Sequence, residues 1–160
     1  MLRRPTQSDV PQDRRGTATV EFAMVAPLFL LVVLGVAEMS TAIHTYNVMY
    51  SAVREGGRLA SMDFSSYVTG NQTANEKVIR DIRAVLSAAG LPAEQVTITI
   101  TEADSTNEFD LSDSGNYLEM FRISASVPFS DVSLFSSNYM TSQVIHADMV
   151  YRKGRVQLIE

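Results

Sequence analysis

Arg14-Arg15-Gly16-Thr17-Ala18-Thr19-Val20-Glu21-Phe22 opens directly onto an apolar run that reaches Ala37, and this junction decides how the chain folds and where it resides. Basic residues, a glycine, small residues and a single carboxylate precede pure hydrocarbon. A carboxylate costs about 2.5–3.5 kcal/mol at mid-bilayer and less near the edge. An acid kept at the entrance of such a segment calls for a functional reason.

The run Phe22–Ala37 carries no charge over 16 residues. As a helix it measures about 24 Å, short of the ~30 Å hydrocarbon core. Thr17–Val20 and Met39–Ile43 extend it into spanning range, with Glu21 and Glu38 near the two edges. Three readings fit. A secretory signal peptide would use the arginines, the apolar run and Gly35-Val36-Ala37 as its cleavage spacing, but Glu21 interrupts it and the apolar periodicity continues past Ala37. A plain single-pass anchor explains all but Gly16 and Glu21. With four arginines ahead of the span and the next ones at Arg54 and Arg58, its N-terminus would be cytoplasmic and its C-terminal domain outside. In the third reading the helix rests in the bilayer and is later drawn into a filament. A peptidase then cuts Gly16–Thr17, and Glu21 becomes the fifth residue of the mature chain. The new Thr17 ammonium would lie about one turn from Glu21, whose carboxylate the helix N-terminus also favours; a neighbouring subunit's ammonium could offset its burial.

Beyond the run, Met39, Ile43, Tyr46, Tyr50, Val53, Gly57 and Ala60 follow a 4-3-4-3 spacing, the stripe of one helix face. The expectation is a continuous helix from Thr17 to Met62, about 69 Å long, kinked at Pro27. Gly56-Gly57 implies close packing or a frayed end. Asp63–Gln72 reads as a turn-rich linker. Thr73-x-x-Glu76 is a capping box opening a helix over residues 74–89, closed by Gly90 and Pro92. Gln95–Thr101 and Tyr117–Val127 alternate as half-buried strands, Gln143–Arg152 reads as a closing strand, and Asp131–Ser137 as a short turn or helix. The fold class is α+β: a long N-terminal helix, then one helix packed on an antiparallel sheet of about three strands. The division is 1–16 as a cytoplasmic leader, 17–62 as the membrane and amphipathic helix, and 63–160 as the exposed domain.

The 160 residues carry a net charge of −5 and no cysteine. Residues 1–16 hold four Arg against two Asp, and residues 38–160 hold nine Lys/Arg against fifteen Asp/Glu. That acidic domain argues against nucleic acid as a partner, and disulfides and thiolate sites are excluded. Glu102, Asp104, Glu108, Asp110 and Asp113 are dense enough to raise calcium, but their spacing is not that of a calcium loop, and a solvated acidic loop is the better reading. His146-x-Asp148 offers too few ligands for a metal, and His44 lies in the long helix. Asn71-Gln72-Thr73 matches a glycosylation acceptor weakly. No nucleophile elbow, phosphate loop or zinc motif is present. The chain is expected to be no enzyme and to need no cofactor or metal.

The stretch Arg15–Glu38, with Val20-Glu21-Phe22-Ala23 followed by Pro27, resembles the opening of the TadE-like family, as does Ala52-Val53-Arg54-Glu55-Gly56-Gly57-Arg58. These are minor pseudopilins of the tight-adherence (Flp, type IVc) pilus system. The resemblance covers roughly Arg15–Arg58. It implies a prepilin peptidase that cuts between Gly16 and Thr17, with Glu21 as the motif acid and Phe22 at the aromatic position after it. It also implies an inner-membrane, periplasm-facing pilin-like subunit, with other pilin subunits, the assembly machinery and membrane lipid as partners. TadG-like proteins share this type of segment, so the alternative is an uncleaved, membrane-tethered extracytoplasmic binding domain.

Overall fold

The computed structural model describes residues 14–62, 73–135 and 142–154. The expected leader up to residue 13, the linker over residues 63–72 with Asn71 and Gln72, and the end of the turn at residues 136–137 lie outside the described residues. Helix α1 spans Arg14–Ala60, α2 spans Ala74–Ala88, and strands β1 (Thr97–Glu102), β2 (Met120–Pro128) and β3 (Val144–Arg152) follow. Short 3-10 turns cover Ala93–Gln95, Ser114–Asn116 and Phe129–Asp131. The class is α+β: a long apolar N-terminal helix, then a small domain with one helix and a three-stranded antiparallel sheet. The chain divides into two compact units, Met1–Ala37 and Glu38–Glu160.

In the second unit the strands run in the order β1-β2-β3, both neighbouring pairs antiparallel. Ile100 pairs with Ile123, and Ile123 with Met149. Period-2 alternation sends Ile98, Ile100, Phe121, Ile123, Ala125, Val127 and Ala147 into one core with Val78, Ile82 and Leu86 of α2. Met49, Ala52, Val53 and Ala60 of α1 complete it. β2 begins at Met120 rather than at Tyr117, because Leu118 sits at φ 63° and cannot continue a strand. Its N–H instead donates to the Lys153 carbonyl at 3.0 Å.

The capping box forms as expected. The Glu76 N–H donates to Thr73 Oγ1 at 3.2 Å, and the Thr73 N–H donates to Glu76 Oε2 at 3.0 Å. Thr73→Ala should therefore lower stability by about 1 kcal/mol in chemical unfolding. The burial stripe of α1 matches expectation at Val53, Gly57 and Ala60 and departs from it before them. Thr45, Met49, Ala52, Val53, Gly56, Gly57 and Ala60 face the core, whereas Met39, Ile43, Tyr46 and Tyr50 stay exposed. Both sets satisfy a helical period. At Gly56 and Gly57 the missing side chains let another element come close to the inner face.

Gly56 and Gly57 are the closest approach. A Cβ on Gly56 would overlap the Ile82 side chain, and one on Gly57 would overlap the ring of Tyr151. The expected alternatives of packing or fraying thus resolve to packing. The Tyr151 ring lies 5.8 Å from that of Phe121. Burial, with a smaller push from Tyr50 and an opposing pull from Arg54, raises the phenol above its ordinary value. A raised acid favours the neutral folded form, so this contribution is complete below about pH 10 and is lost as pH climbs further.

Candidate functional site

The junction residues lie on one uninterrupted helix. Gly16, Thr17, Glu21, Phe22 and Pro27 all fall within α1. The Gly16–Thr17 peptide is therefore helical in the intact chain, and Gly16 has room around it, with no heavy atom within 4 Å of a Cβ placed there. Thr17 and Glu21 are four positions apart and share a face. Phe22 is 73% exposed, and the apolar side chains from Val20 to Val36 are exposed all the way round. An isolated helix apolar on every side has only lipid or other apolar helices to cover it. α1 is long and apolar enough to cross a membrane, and none of its most apolar window is buried within the chain.

The other candidate residues are dispersed. His44 is an exposed position on α1. His146 Nε2 lies 3.5 Å from Asp148 Oδ1, but Asp148 Oδ2 is also held at 3.1 Å by Arg122 Nη1, a cross-strand partner that pair reading along one strand does not reveal. Arg122 Nη2 further donates to the Ala103 carbonyl at 2.9 Å. Arg122 and His146 line an open, hydroxyl-rich depression of about 630 Å³ with Thr99, Thr101 and Ser124. The half-exposed Arg122–Asp148 pair contributes little to stability.

The acidic loop is more ordered than its composition suggests. Phe109 and Leu111 are buried, and the Phe109 N–H donates to the Ile100 carbonyl at 3.1 Å. Asn75 of α2 clamps it from below: Nδ2 donates to the Phe109 carbonyl at 2.7 Å, and the Leu111 N–H donates to Oδ1 at 2.9 Å. Lys153 Nζ donates to the Asp113 carbonyl at 2.7 Å. The acids are spent on local turns: Asp110 accepts from the Ser112 N–H at 2.7 Å and Asp113 from the Gly115 N–H at 2.8 Å. Among the described residues, no three His, Asp or Glu side chains converge to hold a metal ion. Asn75→Ala strands a buried carbonyl and a buried N–H, and should cost about 2 kcal/mol in urea unfolding.

Glu38 has a partner that could not be foreseen. Its Oε1 accepts from the Phe135 N–H at 2.6 Å, across 97 positions of sequence, while Oε2 is buried without a partner among the described residues. The only hint in the sequence is its position just past the apolar run.

No curated protein and no solved structure matches the chain. A family model does, that of TadE-like protein, over residues 16–58. The match begins at the glycine of the junction and ends one residue past Gly57, covering the apolar run and the glycine pair on which the domain packs. Over that segment, about a quarter of its length, the chain is similar to TadE-like protein.

Proposed function

We propose that this chain is a membrane-anchored pseudopilin that takes part in assembling a tight-adherence pilus. A prepilin peptidase removes residues 1–16, Glu21 acts as the motif acid, and Pro27 bends the mature helix. The observation that carries this reading is Glu21 itself: a carboxylate at the fifth position after Gly16, in a helical stretch from Gly16 to Ala37 that is otherwise without charge. Its burial in a bilayer or a filament is costly without a partner, and the ammonium created at Thr17 is the nearest group that could serve.

The four arginines ahead of the span support a cytoplasmic N-terminus and a periplasmic domain in the bacterial inner membrane. The exposed row Met39, Ile43, Tyr46 and Tyr50 supports contact with other pilin subunits, since it is apolar surface that the chain's own core leaves uncovered. Gly16 supports the cut, because a residue without Cβ unwinds from a helix at about 1 kcal/mol less cost than alanine. The family is one of structural pilus components and not of known enzymes.

Intact mass of the protein purified from membranes tests the processing. With the peptidase co-produced, the chain is expected to begin at Thr17, and without it at its original N-terminus. A chain that keeps residues 1–16 in both preparations would refute the cut.

The compact core of the second unit favours one further reading, a tethered binding domain that is never cleaved or built into a fibre. Exchanging residues 17–37 for a generic poly-leucine span separates the two. The pseudopilin loses its function, whereas a tethered domain keeps it.

A further inference from the structure

Leu134 and Phe135 form an apolar tip that the other described residues leave uncovered. Leu134 is 65% exposed and Phe135 47% exposed. The tip is not a loose end. Phe129 is buried at its base, the Val132 and Ser133 N–H groups both donate to the Phe129 carbonyl, and the Phe135 N–H is tied to Glu38. Two bulky hydrocarbon side chains are thus held outward by a short, hydrogen-bonded turn.

The place of that tie decides what covers the tip. Glu38 is the first residue after the uncharged run that ends at Ala37. A side chain fastened to Glu38 is therefore fastened to the edge of the proposed membrane span. We propose that Leu134 and Phe135 form a second membrane contact, entering the interfacial layer of the outer leaflet beside the point where α1 leaves the bilayer. This rests on the reading of α1 as a membrane anchor.

Aromatic and aliphatic side chains gain free energy at that depth by leaving water. The one charge within residues 131–135 is Asp131, and the group that holds the tip is Glu38; both are acids, so the contact is argued from its hydrocarbon and not from attraction to anionic lipid. The contact works because the span already holds the tip at the surface. Its consequence is orientation. One helix crossing a bilayer is free to rotate about its own axis, and a second point of attachment removes that freedom. The carboxylate of Glu38 acts as the positioning group, holding the Phe135 backbone while Oε2 faces a site that offers it no protein partner among the described residues.

The chain contains no tryptophan, so single replacements report one position each. The test uses the full chain reconstituted in zwitterionic phosphatidylcholine vesicles, with and without bromine on the acyl chains. Three variants are compared: Leu134→Trp at the tip, Phe29→Trp within the proposed span, and Met62→Trp beyond the far end of α1. Brominated lipid should reduce the fluorescence of Leu134→Trp and Phe29→Trp by about twofold or more, since both would lie within the acyl and interfacial layers, and leave Met62→Trp unchanged. Adding Glu38→Gln to Leu134→Trp should weaken the quenching, because a neutral amide holds the Phe135 N–H less firmly. Quenching of Phe29→Trp without quenching of Leu134→Trp overturns the second contact and leaves the anchor standing. Loss of quenching at Phe29→Trp overturns both. A tip shielded from aqueous acrylamide yet untouched by brominated lipid is covered by protein, and that also overturns the proposal.

Discussion

Gly57→Leu is expected to destabilise the second unit by about 3 kcal/mol, at the upper end of what overpacking costs. The Cβ alone would enter the Tyr151 ring. That ring cannot simply swing away: it packs on Phe121 at 5.8 Å, and its hydroxyl lies 3.3 Å from the Val53 carbonyl and 2.7 Å from Met149 Sδ. Replacing a helical glycine ordinarily gains up to about 1 kcal/mol in propensity, so the expected sign is opposite to that for an exposed helix. Urea unfolding of the full chain in detergent, followed by the tyrosine near-ultraviolet signal, reads the effect. An unfolding midpoint equal to that of the parent would show that α1 is not packed on β3 at this point. Gly56→Ala should cost less, about 1 kcal/mol, because the clashing atoms belong to the aliphatic arm of Ile82, which has other rotamers to reach.

Glu21→Ala is expected to leave membrane insertion intact and to abolish pilus assembly. Removing the carboxylate makes the span easier to insert, by up to about 2.5–3.5 kcal/mol if the acid lies deep, so a failure of piliation could not be blamed on the anchor. Glu21→Gln separates charge from shape: if the acid acts by pairing with an ammonium, the amide should fail as well. Membrane fractionation and counting of surface pili measure the two properties independently. Normal piliation in Glu21→Ala would refute the role assigned to this side chain.

The elements were readable because each obeys a local rule. Alternation in Val96–Ile100 and Phe121–Val127 matched the buried faces of β1 and β2, and the Thr73–Glu76 capping box marks the start of α2 within one residue. The inner face of α1 was less legible. Periodicity alone favours the larger apolar residues, and Met39, Ile43, Tyr46 and Tyr50 looked like core for that reason. What decides the face is distance of approach. Gly57 and Ala60 fell on the expected stripe, but Ala52 and Gly56 carry little hydrophobic signal, and it is the bareness of Gly56 and Gly57 that lets Ile82 and Tyr151 reach the backbone. Asn75 and Arg122 were invisible for a related reason. Their partners at Phe109, Leu111 and Asp148 lie 26 or more positions away, and no spacing rule connects residues that only a closed sheet brings together.

By itself, the sequence determined the junction at Arg14–Phe22, the apolar run to Ala37 and the likeness of residues 16–58 to TadE-like protein. Those properties reside in the order of residue types along one helix, where neighbours in sequence are neighbours in space. Only the tertiary structure decided which side of α1 is core and which is bare, that the acidic loop hangs on Asn75, and that Glu38 holds the tip at Phe135. Those are contacts between segments 26 to 97 positions apart, and they form because side chains and backbone groups find partners wherever the fold supplies them.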